Sequence, residues 1–385
     1  MGLDSIYEFV QAFRLKFSSN VTLIRHFMLL VAVGTLIVFG ILLPLPGVFT
    51  KKLSTFDLHF PVLQNLLPFS LLTLTLGSHS VYKCFTKSFA LSKSHFFRKI
   101  LWKFALTGIL EAHFYISLAF SLRFTSLISS YIMLTTVSLF RTSYKIIAKR
   151  IPSKGYMNIF FITAMLGHTI WLISDYEKDN EVLFTNSSIT YKESLFKPKT
   201  SSLFGSLIAL VGSMAIGLVF HFRDELIFCS NTHFTLGLSS IFSTVILLMY
   251  FFIFEIKSIE HFFQYGNKGF NESGSIFLFG YTMSTLFLIP GLYKVQSFIN
   301  ADFLDIPIFL AAIQAIIYNF VLFEFVWHPG HILALCLIGL SFPLSISFEN
   351  PTDQFSKVRQ KFFELQTNDT KEVPENSGDL EISSQ

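Results

Sequence analysis

Eight side chains set inside long apolar stretches have the chemistry to hold an anion or a base. Arg141 and Lys145 are four residues apart, so a helix puts them on one face, with Tyr144 beside them. A guanidinium fork next to an ammonium suits a phosphate or a carboxylate. Tyr281, Tyr293 and Lys294 belong to a stretch interrupted at Pro290-Gly291. Such a break frees backbone groups that can line a cavity. Gln314 and Tyr318 share a helical face and Asn319 lies one step round. A Tyr-Asn pair can stack on a base and hydrogen-bond its edge. These eight form the expected substrate-binding set. Plainer roles compete with it: snorkelling anchors for Lys145 and Lys294, and interhelical hydrogen bonding for Tyr318 and Asn319. Glu111 and His113 are two apart and point to different faces. They are either an interfacial pair or a gate.

Covalent chemistry has less support. The sequence contains no Gly-x-Ser-x-Gly, no His-Glu-x-x-His and no P-loop. His328 and His331 bracket a Pro-Gly turn, and two histidines without a third ligand make a poor metal site. No metal and no cofactor is expected. Cys84, Cys229 and Cys336 form neither a disulfide framework nor a zinc pattern. A membrane-embedded lipid-modifying transferase would need acidic or histidine groups at a membrane face. The candidates are Asp57-Leu-His59, Asp175 and Asp224-Glu225, and none forms a recognisable motif. No enzymatic activity is expected.

The elements that must position these residues are unusually apolar. The chain is 52% hydrophobic and 14% charged, with 48 phenylalanines and a mean hydropathy of +0.56. Soluble domains carry about 25% charged residues. About ten apolar stretches follow one another: 26–48, 60–82, 101–122, 124–147, 156–174, 203–222, 234–256, 274–296, 302–326 and 331–348. About 20 apolar residues in a helix cross a hydrocarbon core of about 30 Å. The expected fold is therefore an all-α polytopic membrane protein of about ten transmembrane helices. Residues 1–25 should be a cytosolic segment without a cleavable signal, the first helix acting as signal anchor. Residues 349–385 read as a disordered cytosolic tail. Most of the 29 lysines and arginines fall on one side of such a topology, which places both termini in the cytosol. Asn186-Ser-Ser and Asn271-Glu-Ser, on the other side, are glycosylation sequons.

A loop at 175–202 divides the chain into five-helix halves, 26–174 and 203–348. In each, a proline turn (Pro152, Pro329) precedes the last apolar stretch. Five is odd, so the second half must be inverted relative to the first, the arrangement of many secondary transporters. Aligning the halves sets Arg141 opposite Tyr318. From Ala105 to Ile173 the chain resembles the drug/metabolite transporter superfamily, and within it the nucleotide-sugar carriers. The likeness is carried by Leu106-Thr-Gly108, Glu111-Ala-His113-Phe-Tyr115, Arg123-Phe-Thr125-Ser126 and Leu139-Phe140-Arg141-Thr142. The family's Gly-Glu pair before helix five is replaced here by Pro152-Ser-Lys-Gly155. The resemblance implies an alternating-access transporter of a nucleotide-sugar or other anionic metabolite in a Golgi or endoplasmic reticulum membrane. Its partners would be the lipid bilayer and that solute, with homodimerisation open and no nucleic acid. The alternatives are the lipid-modifying transferase and a non-transporting structural or trafficking protein with a carrier-like fold.

Overall fold

Lipid offers no hydrogen-bond partner, so each apolar stretch must satisfy its own backbone, and a helix does so. The computed structural model describes residues 34–55, 59–85, 95–147, 155–186, 202–230, 232–257, 259, 272–298, 304–323 and 327–346. Among these the chain is helical almost throughout and has no strand. Residues 1–345 make one compact unit, and 346–385 a second whose residues beyond Ile346 are outside the described set.

Ten helical runs follow the apolar stretches: α1 Gly34–Thr55; α2, in the pieces Pro61–Leu72, Thr73–Gly77 and Ser78–Phe85; α3 His95–Phe124; α4, in the pieces Leu127–Leu134 and Val137–Ile147; α5 Gly155–Asn186; α6 Ser202–Cys229; α7 Thr232–Glu255; α8 Glu272–Phe298; α9 Asp305–Leu322; and α10 Pro329–Ile346. Seven of them (α1, α3, α5, α6, α7, α8 and α9) contain a helix long and apolar enough to cross a membrane. The chain is thus a multi-pass membrane protein, all-helical among the described residues. The expected count of ten crossing helices is met by seven.

Hydroxyl side chains turn onto the backbone at the interruptions of two of the other three. In α2 a π-helical turn spans Thr73–Gly77, and around it Thr75, Ser78 and Ser80 donate to the carbonyls of Leu71, Leu74 and Leu76. Such back-bonding competes with the helical ladder and bends it. In α4, Thr135 and Thr136 donate to Ile132 and Met133 carbonyls at 2.7 Å, where the helix tightens and restarts. The third, α10, is apolar over Pro329–Leu344 but shorter.

One boundary is corrected. The loop expected from residue 175 begins as helix, because α5 runs on to Asn186. Asp175, the polar residue that suggested the break, is fully buried among hydrogen-bond donors. The sequon residue Asn186 is therefore the last residue of a helix; Asn271 lies outside the described residues.

The helices pack in a regular scheme. α3 lies along α6 and α8 along α1; α3 and α8 touch α7 and α2 respectively; α2 meets α7, and α4 meets α9 and α6. Gly40 brings α1 against Leu310 of α9, and Gly167 brings α5 against Ile338 of α10. Small residues permit this closeness. At Gly108 of α3, a Cβ would lie 2.3 Å from the Ser239 carbonyl oxygen of α7. Because that neighbour is backbone, the two helices would have to separate. Gly108→Ala should cost about 1–3 kcal/mol, seen as a lower unfolding midpoint in detergent. Gly339→Ala, with nothing within 4 Å of the added carbon, should leave the midpoint unchanged or raise it.

Candidate functional site

Six helices, α1, α3, α4, α6, α8 and α9, enclose a cavity of about 50 Å³, the larger of the two described. Its wall is mostly leucine, isoleucine and phenylalanine. It holds one cation, Arg223 of α6, and one carboxylate, Glu111 of α3. Both are 1% exposed, and the Arg223 Nη2 donates to Glu111 Oε1 at 2.9 Å. The guanidinium lies over the Tyr293 ring of α8, 3.7 Å from its centroid. The Tyr293 hydroxyl donates to Glu111 Oε2 at 3.0 Å and lies 2.9 Å from the Ser239 hydroxyl of α7. Gln296 reaches Arg223 with its Oε1 at 3.4 Å and donates through Nε2 to Asp224 at 2.6 Å. Beside this cluster Lys103 of α3 pairs with Glu225 of α6.

A second buried pair joins α4 to α9. The Arg141 Nη2 is 2.6 Å from Asp305 Oδ2, and both residues are 3% exposed. Arg141 therefore does not face Tyr318. The two helices run antiparallel, which sets the end of α4 beside the start of α9. Tyr318 lies 13 residues further along α9, about 20 Å at about 1.5 Å per residue.

The opposite end of the bundle has its own polar contacts. Lys51 donates to the carbonyls of Leu122 and Thr125 at 2.9 and 2.8 Å, satisfying the end of α3. The Glu255 carboxylate accepts from the backbone N–H groups of Val62 and Leu63, both at 2.8 Å, capping α2. Asp175 of α5 accepts from Ser129 of α4, Ser206 of α6 and His331 of α10 at 3.1, 2.7 and 3.3 Å. His331 Nδ1 accepts from the His328 N–H at 3.1 Å. Both imidazole nitrogens are thus engaged, so His331 is no base for Ser129. His59, in the short link before α2, lies near Lys51 and Arg123. Burial first, then Arg123 and Lys51, hold its imidazole down to about 3.

The residues singled out in the sequence are only partly brought together. Glu111 and Tyr281 line the cavity, and Tyr293 bonds to Glu111. His113 faces away, as its spacing from Glu111 required, and its ring nitrogens meet the Ile109 carbonyl and the Tyr250 hydroxyl. As a gate residue of this cavity it is misplaced. Lys145 and Lys294 are half-buried near helix ends; Gln314, Tyr318 and Asn319 line neither cavity. Arg223 was the residue missed. It follows the stretch 203–222, whose end reads as a membrane boundary, whereas α6 continues to Cys229 and buries it.

Removing one member of a buried pair leaves a bare charge. Arg141→Ala should destabilise the protein by about 3–5 kcal/mol, whereas the Arg141→Met/Asp305→Leu double variant should recover most of that. Thermal unfolding of the three proteins checks it, and a double variant no better than the single one would refute a purely structural pair.

His59 gives a pH dependence. Its folded-state value lies below the ordinary 6.5, so the unfolded chain binds the extra proton. Stability is then full above pH 6.5 and falls as pH drops from 6.5 toward 3. His59→Phe should flatten that slope in unfolding midpoints measured between pH 7 and pH 4.

No family model matches the chain, and no curated protein matches it. One solved structure, described only as "Crystal structure of protein", is similar over 81% of this chain and 95% of its own, with a TM-score of 0.47 and 11% identity. At that level the likeness supports no conclusion about this multi-pass membrane protein.

Proposed function

We propose that the chain is a transmembrane solute carrier working by alternating access, with the cavity around Glu111 and Arg223 as its central site. One observation carries this reading. The lining helices are α1, α3 and α4 of the first five and α6, α8 and α9 of the last five, each with a counterpart five helices later. The packing obeys the same shift. The contact of α3 with α6 matches that of α8 with α1, and α3 on α7 matches α8 on α2. Pairs such as α2 with α7 and α4 with α9 map onto themselves. This is what an inverted five-helix repeat spanning the membrane ten times would produce, with the site at the interface of the repeats.

The ionic contacts fit the same division. Lys103–Glu225, Glu111–Arg223 and Arg141–Asp305 each join the first five helices to the last five. So do Asp175–His331 and Glu177–His328 at the other end. A cavity of about 50 Å³ holds a few waters and no metabolite, so cargo enters only when one set of contacts parts. The cargo is a small anionic solute, a nucleotide-sugar being the class that the family resemblance implies, and the membrane is that of the Golgi or endoplasmic reticulum. The engaged nitrogens of His331 weigh against a transferase at the Asp175 cluster.

The test is counterflow in proteoliposomes preloaded with nucleoside monophosphates or other organic anions. Ala119, whose methyl lines the cavity, provides the control. Ala119→Leu should keep the protein folded and remove most uptake. Uptake by Ala119→Leu at the wild-type rate would exclude this cavity as the path, and a wild-type protein that moves no anion would end the carrier reading.

A further inference from the structure

We infer that Arg223 is the anion-binding residue of the cavity, that Glu111 is its built-in competitor, and that the cargo is an amphipathic organic anion: one phosphate or carboxylate on an apolar body. The movement of that cargo rests on the carrier reading above; its binding needs only that the contacts around the cavity part.

The guanidinium has donors to spare. Its Nη2 is committed to Glu111 and its Nη1 makes only the 3.4 Å approach to Gln296. Its Nε is buried and has no hydrogen-bond partner among the described residues. One flat face is occupied by Tyr293. An arginine held by its face keeps its edge free for bidentate contact with a planar or tetrahedral anion. Tyr293 is itself fixed by Ser239, so the guanidinium would stay in place if Glu111 swung aside. An incoming anion could then take over the position of the Glu111 carboxylate so that Arg223 stays paired, with Glu111 hydrated as it swings aside.

The rest of the wall chooses the body of the cargo. Phe114, Leu118, Phe220, Leu288 and Ile308 offer hydrocarbon only. Two hydroxyls that could have served a sugar are already spent. Tyr131 donates to the Leu43 carbonyl at 3.0 Å, and Tyr281 donates to the Asn65 side-chain oxygen. Thr50 donates to the Gln64 side-chain oxygen at 3.4 Å, which leaves Tyr115 and Thr285 as the remaining polar side chains of the wall besides the ion pair. The many hydroxyls of a ribose and a hexose would be stranded there, since a buried polar group without a partner is costly. An aromatic or aliphatic body carrying a single anion meets this wall without loss. The site thus selects against the nucleotide-sugars that the family resemblance implies.

The full-length protein purified in detergent tests this by thermal unfolding against phenyl phosphate, inorganic phosphate and UDP-glucose. Phenyl phosphate should raise the midpoint, with inorganic phosphate needing about tenfold more for the same shift and UDP-glucose no better than inorganic phosphate. Glu111→Gln should unfold earlier alone and half-saturate with phenyl phosphate at about tenfold lower concentration, its competitor gone. Arg223→Gln should lose the response. A phenyl phosphate response in Arg223→Gln equal to that of the wild type, or a stronger response to UDP-glucose than to phenyl phosphate, would overturn the inference. If Arg223→Gln does not fold, Glu111→Gln decides, and an unchanged half-saturation overturns it. Uptake of phenyl phosphate into proteoliposomes separates the two readings: binding without uptake upholds the site and removes the carrier, and uptake independent of Arg223 does the reverse.

Discussion

A guanidinium inside a lipid-embedded bundle must have a carboxylate beside it, and the contact between Arg223 and Glu111 fixes the arrangement around the cavity. A buried ion robbed of its partner costs about 3–5 kcal/mol. α6 and α3 are therefore locked in register where these two residues meet. Tyr293 brings α8 to the same point through its ring and its hydroxyl, and Ser239 adds α7. Four helices converge on one charge, and the cavity opens where they do.

The same constraint disposes of the other polar groups. The last carbonyls and first N–H groups of a helix have no partner within it, and lipid supplies none. Lys51 answers the carbonyl end of α3 and Glu255 the N–H end of α2. Ser126 caps α4 by accepting from the Ser129 N–H at 3.0 Å. Charges that in a soluble protein would reach for water here reach for a helix end. Glycine and serine then set how near the rods come, and phenylalanine and leucine fill what is left. Ser243 is an example, donating from α7 to the Gly108 carbonyl of α3 at 2.8 Å where the glycine lets them touch.

Much of this was legible in the sequence, because apolar length and helical spacing are local properties. The described residues of the ten apolar stretches fall almost throughout on helix, and the divergence of Glu111 and His113 followed from their spacing alone. What stayed hidden depended on where helices end and which partner each meets. Arg223 and Lys51 looked like boundary charges, and only the continuation of α6 to Cys229 and the proximity of α3 show otherwise. Arg141 was matched to Tyr318 by counting along two repeats. The real partner, Asp305, sits at the start of an antiparallel helix that counting in one direction cannot reach. At the interruptions of α2 and α4, threonine and serine hydroxyls turn onto their own backbone, a choice that those residue types permit but do not dictate.

Ionic contacts between the five-helix halves occur at both ends of the bundle, and this restricts how the cavity can open. Parting the halves at the Arg223 end must separate Arg223 from Glu111, and lipid or an apolar cavity cannot solvate either ion. A neutral cargo offers no substitute, so opening around it would bear the full cost of two bare charges. An anion offers Arg223 a replacement partner and releases Glu111 to whatever water enters with the cargo. Opening then exchanges one ion pair for another of similar strength, provided that the water entering with the cargo hydrates the released Glu111. In the proposed carrier, the charge of the cargo and the motion of the helices are in this way set by the same pair of residues, and an apolar wall with so few free hydroxyls leaves the remainder of the cargo to be chosen by shape and hydrophobicity.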